Sequence, residues 1–156
     1  MSSPKPLSGN VVTETTRTIA QIRAFNRFYT DLIGLLDKHL LNSAYSLAEA
    51  RILYEIQAHQ PISASQIMAT MHIDKSYLSR VLKKLEGDQL LSKQSSARDA
   101  RTTLLSLTPA GQAVFATLNH ASDAQIDALL RPLSPAQHQE LVAHMHAIHT
   151  LLHPTS

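Results

Sequence analysis

The stretch Ile73-Asp74-Lys75-Ser76-Tyr77-Leu78-Ser79-Arg80-Val81-Leu82-Lys83-Lys84-Leu85-Glu86 decides the fold. Leu78, Val81, Leu82 and Leu85 recur at steps of three and four, which puts them on one side of a helix, facing a core. Lys75, Ser76, Ser79, Arg80 and Lys83 fall on its other faces. Asp74 stands just before the periodic run, where its carboxylate can accept a free backbone N–H and cap the helix. The helix is expected to reach about Asp88.

Upstream, Ser63-Ala64-Ser65-Gln66 has the spacing of a capping box, in which each end satisfies the other's free N–H. It opens a short helix through Met71, separated from the basic helix only by the turn His72-Ile73, and Pro61 ends the connection before it. Ser46-Leu47-Ala48-Glu49 is a second such box, and its helix runs to about Ala58 with Ile52, Leu53 and Ile56 inward. Earlier still, Ile19, Ile22, Phe25, Phe28, Leu32 and Leu36 mark one long amphipathic helix from about Val12 to His39. A loop from Leu41 to Tyr45 follows it. Residues 1–10, with two prolines, three serines and a glycine, read as a frayed tail.

Downstream the period changes. Leu90 and Leu91 begin a short extended run to Gln94, Ser95–Arg101 is polar, and Thr102–Leu107 is rich in Thr and Leu. Two short strands joined by a charged tip are expected, and the tip lacks the glycine of a tight two-residue hairpin. Thr108-Pro109 restarts helix, with proline at the first helical position. That helix carries Val114, Phe115, Leu118, Ile126, Leu129 and Leu130 and stops at Pro132. Ser134-Pro135-Ala136-Gln137 caps a last helix with Leu141, Met145, Ile148, Leu151 and Leu152 as its stripe.

Composition narrows the function. The 156 residues are 44% hydrophobic and 17% charged, which is globular rather than disordered. With aromatics at 4% and no Trp, the core must come from Leu, Ile, Val and Ala, a mix that favours helix. The absence of cysteine excludes disulfides, thiolate catalysis, cysteine zinc sites and thiol redox sensing. Neither a signal-peptide core nor a membrane-length apolar run occurs, so a cytoplasmic protein without membrane attachment is expected. Net charge is only +2, yet residues 74–101 hold seven of 14 basic and four of 12 acidic residues, +3 against −1 elsewhere. A concentrated positive stretch suits a phosphate footprint, although a solvated face would read the same way.

Helix, turn, helix and basic-tipped hairpin in this order describe a helix-turn-helix followed by a wing. The fold expected is mainly α with a small β-hairpin wing, a winged helix-turn-helix flanked by dimerisation helices. Its segments are a tail at 1–10, a dimerisation helix at 11–45, the winged helix-turn-helix at 46–107 and dimerisation helices at 108–156. A helix of this kind fits the major groove, and a wing-tip Arg can enter the adjacent minor groove.

Five linked pieces carry a resemblance. They are Ile73-Asp-Lys-Ser-Tyr-Leu-Ser-Arg80, Leu82-Lys-Lys-Leu-Glu86, Asp88-Gln-Leu-Leu91, Asp99-Ala-Arg101 and Leu105-Ser-Leu-Thr-Pro-Ala-Gly111. In order and spacing they resemble the MarR family of bacterial transcription regulators, closely over about residues 46–111. The resemblance implies that Arg80 clamps phosphate and orients the recognition helix, with Lys75 and Lys83 beside it. It places Ser76, Tyr77 and Ser79 toward base edges and backbone, and gives Ser63 the cap of the helix abutting the backbone. Asp99 and Arg101 would be the wing pair, the carboxylate holding the guanidinium, with Arg98 freer for the minor groove. Plainer alternatives stand beside these: Arg80 in an ion pair with Glu86 or Asp74, and Asp99 and Arg101 merely stiffening the loop. Two positions depart from the family pattern: Gln89 stands where many members have Gly, and Tyr77 where Thr is usual.

The resemblance further implies a homodimer on a pseudo-palindromic double-stranded DNA operator, with half-sites about 34 Å apart. It also implies a small aromatic effector in the cleft between dimer helices and winged helix, and no motif marks that pocket. The expected function is sequence-specific transcriptional regulation, as a repressor. Phe25–Tyr29 with Ser46–Tyr54 resembles the subgroup in which this domain precedes an acetyltransferase, so a regulator module of a larger protein is one alternative. A winged helix used only for protein–protein contact is another. No catalytic constellation is found and no cofactor is expected. His146, His149 and His153 share a face of the last helix and could ligate zinc, but a solvated histidine face is the plainer reading.

Overall fold

Serine, threonine and aspartate side chains start the helices where the spacing places them. The computed structural model describes residues 8–40 and 43–153, which divide into one unit within 1–44 and another at 45–156. In the first unit α1 spans Ser8–Leu40. It begins before the expected Val12, so residues 8–10 are helical and not tail, while residues 1–7 of that tail lie outside the described residues, as do 41–42 of the loop. Ile19, Ile22, Phe25 and Phe28 are exposed along it, and Phe25 stacks on Tyr29 with ring centres 5.7 Å apart.

The second unit opens with α2 (Leu47–His59), where the Ser46–Glu49 box is complete. Next comes a strand that the pattern did not reveal, β1 (Ile62–Ser63), then α3 (Ala64–Met71) under the Ser63–Gln66 box. His72 turns left-handed and Asp74 caps α4 (Lys75–Gly87), accepting the N–H of Tyr77 at 2.9 Å. The wing is β2 (Leu91–Ser95) and β3 (Thr103–Leu107), paired antiparallel from Leu91↔Leu107 to Ser95↔Thr103. β1 adds to the far edge of β3 through Ile62↔Leu105, so the two-stranded wing is part of a three-stranded sheet ordered β1-β3-β2. Two further helices follow, α5 (Pro109–Leu130) and α6 (Pro135–Leu152).

One core gathers Ile52, Leu53 and Ile56 of α2, Ile62 of β1, Ile67 of α3, Leu78, Val81 and Leu85 of α4, and Leu90, Leu91, Leu105 and Leu107 at the wing strands. Leu82, expected in this core, is only half-buried and faces a surface groove. The helical phase explains it: Leu82 sits at the rim of the stripe that Leu78, Val81 and Leu85 define. Two ties fix sheet to helices. The Gln60 side chain accepts the Leu107 N–H at 2.8 Å, and Gly111 is buried where any Cβ would collide with the Leu90 carbonyl oxygen. Among the described residues no helix is long and apolar enough to cross a membrane.

Candidate nucleic-acid interface

Burial of Leu78, Val81 and Leu85 turns the opposite side of α4 outward. Ser76, Ser79, Arg80 and Lys83, at steps of three and four, form an exposed ridge there, and Lys75 is exposed beside it. Tyr77 is half-buried, and the Arg80 guanidinium lies over its ring, 5.4 Å from the centroid. The departure from the usual Thr thus provides Arg80 with an aromatic shelf. Arg80 takes neither ion pair considered for it: Glu86 holds Lys93 at 2.6 Å, and Asp74 caps the helix.

α4 ends in a Schellman motif. Gln89 is left-handed at φ 60°, its N–H donates to the Glu86 carbonyl, and the Leu90 N–H donates to the Leu85 carbonyl, both at 2.9 Å. That is the conformation the family's usual Gly adopts without strain, so the turn is kept and Gln89 bears the cost.

At the wing tip, Ser96 N–H to Thr102 carbonyl at 2.8 Å closes the loop, and the Ser96 hydroxyl accepts the Arg98 N–H at 3.2 Å. Asp99 was expected to hold the Arg101 guanidinium. Its carboxylate instead accepts the Arg101 backbone N–H at 3.0 Å and the Thr102 hydroxyl at 3.4 Å. Two residues of spacing favour this Asx-type turn, because the backbone N–H is reached without ordering a long side chain. Arg98 and Arg101 remain exposed. Ser63 is 8% exposed and its hydroxyl is engaged with Gln66 as the cap of α3.

Ion pairing sorts the seven cations of 74–101. Lys84 pairs with Glu49 and Lys93 with Glu86. Among the described residues, Lys75, Arg80, Lys83, Arg98 and Arg101 form no ion pair, and all five are exposed. Sequence reasoning named these five. It passed over Lys93, which lines a groove of about 600 Å³ with Met68, Leu78, Leu82, Lys75 and Lys83 between α3, α4 and β2. Of the α6 histidines, His149 and His153 stack at 4.9 Å and His144 contacts Glu140 at 3.5 Å. Among the described residues no group of three His, Cys, Asp or Glu could hold a metal ion.

A helix-turn-helix with an exposed basic second helix, followed by a basic-tipped hairpin, defines a winged helix-turn-helix domain. Residues 45–103 match the MarR family. It is 29% identical over 120 residues to an uncharacterized HTH-type transcriptional regulator of Staphylococcus aureus strain Mu50, covering 76% of this chain and 80% of that one. Its fold is similar to that of Staphylococcus aureus MarR in complex with salicylate and kanamycin, with a TM-score of 0.74, 24% identity and coverage of 88% and 93%. It is also similar to the S. aureus MepR–DNA complex, with a TM-score of 0.69, 18% identity and coverage of 82% and 95%.

Proposed function

We propose that the chain is a sequence-specific, double-stranded-DNA-binding transcriptional regulator. It acts as a homodimeric repressor whose DNA affinity responds to a small aromatic effector. The observation that carries this reading is the set of five exposed cations without carboxylate partners, divided between the α4 ridge and the wing tip. Exposed cations left unpaired are available to displace counterions from phosphate, the main source of affinity for DNA. Ser76, Tyr77 and Ser79 then supply short hydroxyl contacts near base edges, while Arg80 on its Tyr77 shelf fixes the helix in the groove. Arg98 and Arg101 at the exposed tip suit the negative potential of a narrow minor groove. Occupation of a promoter by such a dimer blocks other proteins from it, which makes repression the expected sign.

The relatives support the reading. The Staphylococcus aureus relative is described as a transcriptional regulator, MepR is seen with DNA, and S. aureus MarR with salicylate. The reading assigns no catalysed reaction.

The test is fluorescence anisotropy with the duplex upstream of the chain's own gene and a shuffled duplex, for wild type and Arg80→Ala. Specific binding on the order of 10³-fold tighter than to the shuffled duplex is expected. Arg80→Ala should weaken binding to both duplexes and flatten the salt dependence by about one unit of slope. Failure to enrich any duplex from pooled genomic DNA would overturn the reading.

A further inference from the structure

Lys84 and Asp88 lie one helical turn apart at the C-terminal end of α4, and both are held from the start of α2. The Lys84 Nζ lies 2.9 and 3.1 Å from the two Glu49 carboxylate oxygens, and Glu49 also accepts the Ser46 N–H at 2.9 Å. The same ammonium stands 5.0 Å from the centre of the Tyr45 ring. The Tyr45 hydroxyl donates to Asp88 Oδ2 at 2.9 Å. Tyr45 and Glu49 are thus four residues apart on one side, and Lys84 and Asp88 four apart on the other.

A helix seated on one apolar row can rock about that row. Leu78, Val81 and Leu85 are such a row, and attachments at two points on one flank remove that freedom. The Glu49 side chain is 16% exposed and that of Lys84 41%, so the pair is partly withdrawn from water and less screened than a fully exposed one. Burial, then the hydrogen bond to Asp88, push the Tyr45 hydroxyl up to about 12, so it remains a donor across the physiological range. Lys84, so engaged, is the cation of α4 that the phosphate footprint does not use.

We propose that Tyr45, Glu49, Lys84 and Asp88 are positioning residues that fix the orientation of α4, and with it the Ser76, Ser79, Arg80 and Lys83 ridge, for groove binding. The inference rests on the DNA-binding reading and deepens it.

The test compares the full-length wild type with Tyr45→Phe, Glu49→Gln, Lys84→Met and the Glu49→Gln/Lys84→Met double variant. Affinity for a genomic duplex selected by the wild type, the ratio to a shuffled duplex and the salt slope are measured well below each melting temperature. Gln remains compatible with a capping box, so Glu49→Gln tests the pair and not the cap. Each single variant should lose about three- to tenfold in operator affinity and part of its selectivity, with an unchanged salt slope. The double variant should be no worse than the weaker single. Unchanged operator affinity and selectivity in folded variants would overturn the inference while leaving the regulator reading intact. So would a flatter salt slope for Lys84→Met together with tighter binding by Glu49→Gln, since Lys84 would then be a phosphate contact. A wild type that enriches no duplex sinks the regulator reading and takes this inference with it.

Discussion

Tyr77 shows how a single side chain can both depart from a family pattern and serve the site. Its ring underlies Arg80, and a cation held over an exposed ring gains about 0.5–1 kcal/mol. Tyr77→Thr should therefore weaken operator binding about two- to fivefold, read by anisotropy, and a variant binding as tightly as wild type would remove the shelf from the account. Gln89 is the second departure. At φ 60° it bears a left-handed strain of about 1–2 kcal/mol that glycine lacks, partly offset by glycine's greater freedom when unfolded. Gln89→Gly should raise stability by up to about 1 kcal/mol in urea unfolding, and a loss would contradict the Schellman assignment. Tyr45 adds a pH prediction. Its folded pKa, raised from 10.0 to about 12, favours the protonated form, so the stability it adds is complete below pH 10 and is lost as pH rises toward 12. Alkaline unfolding of wild type should steepen in that window, and Tyr45→Phe should flatten it. Sequence flagged Tyr77 and Gln89 because motifs specify positions. It missed the Tyr45–Asp88 bond because nothing local links residues 43 apart.

Elements were legible where their signals are local. The Ser46–Glu49, Ser63–Gln66 and Ser134–Gln137 boxes each lie within four residues and each forms as spaced. β1 escaped because a two-residue strand cannot display a period of two, and its Ser63 already had a role as a cap. The wing tip was placed correctly, but its internal bonds were not, since spacing alone does not say whether Asp99 meets the side chain or backbone of Arg101. Gly111 belonged to the recognised motif without a reason, and the structure supplies one. The start of α5 passes so close to Leu90 that Thr108 N–H donates to the Leu90 carbonyl at 3.0 Å and no Cβ fits at Gly111. Gly111→Ala should cost about 1–3 kcal/mol through forced separation of α5 from the sheet, despite alanine's better helix propensity. Equilibrium unfolding that shows no loss would mean the junction yields freely.

Apolar surface remains uncovered on both units, and this is the observation that bears on assembly. Phe25 is 45% exposed on α1, and Met145, Ile148 and Leu152 of α6 are exposed at the three- and four-residue steps of one stripe. Isolated exposed apolar residues are ordinary, but contiguous apolar stripes on several helices are what a partner surface covers. A second copy is the occupant the homodimer reading assigns, since a symmetric pair buries the same stripes from both chains. Because these side chains lie outside the core of the single chain, a charge placed on them should separate association from folding. Phe25→Glu and Ile148→Glu should keep the wild-type helical signal while sedimenting as monomers at concentrations where wild type is a dimer. DNA binding then gives an independent readout. Two linked winged helices engage two half-sites with the second event made intramolecular, which raises affinity by about 10²–10⁴ over one domain. The monomeric variants should lose a factor of that order on the full operator but bind a single half-site as wild type does. Wild-type chain that sediments as a monomer at every concentration, and variants that bind the full operator unchanged, would reject the dimer. The five cations of α4 and the wing would then have to account for DNA affinity within one chain.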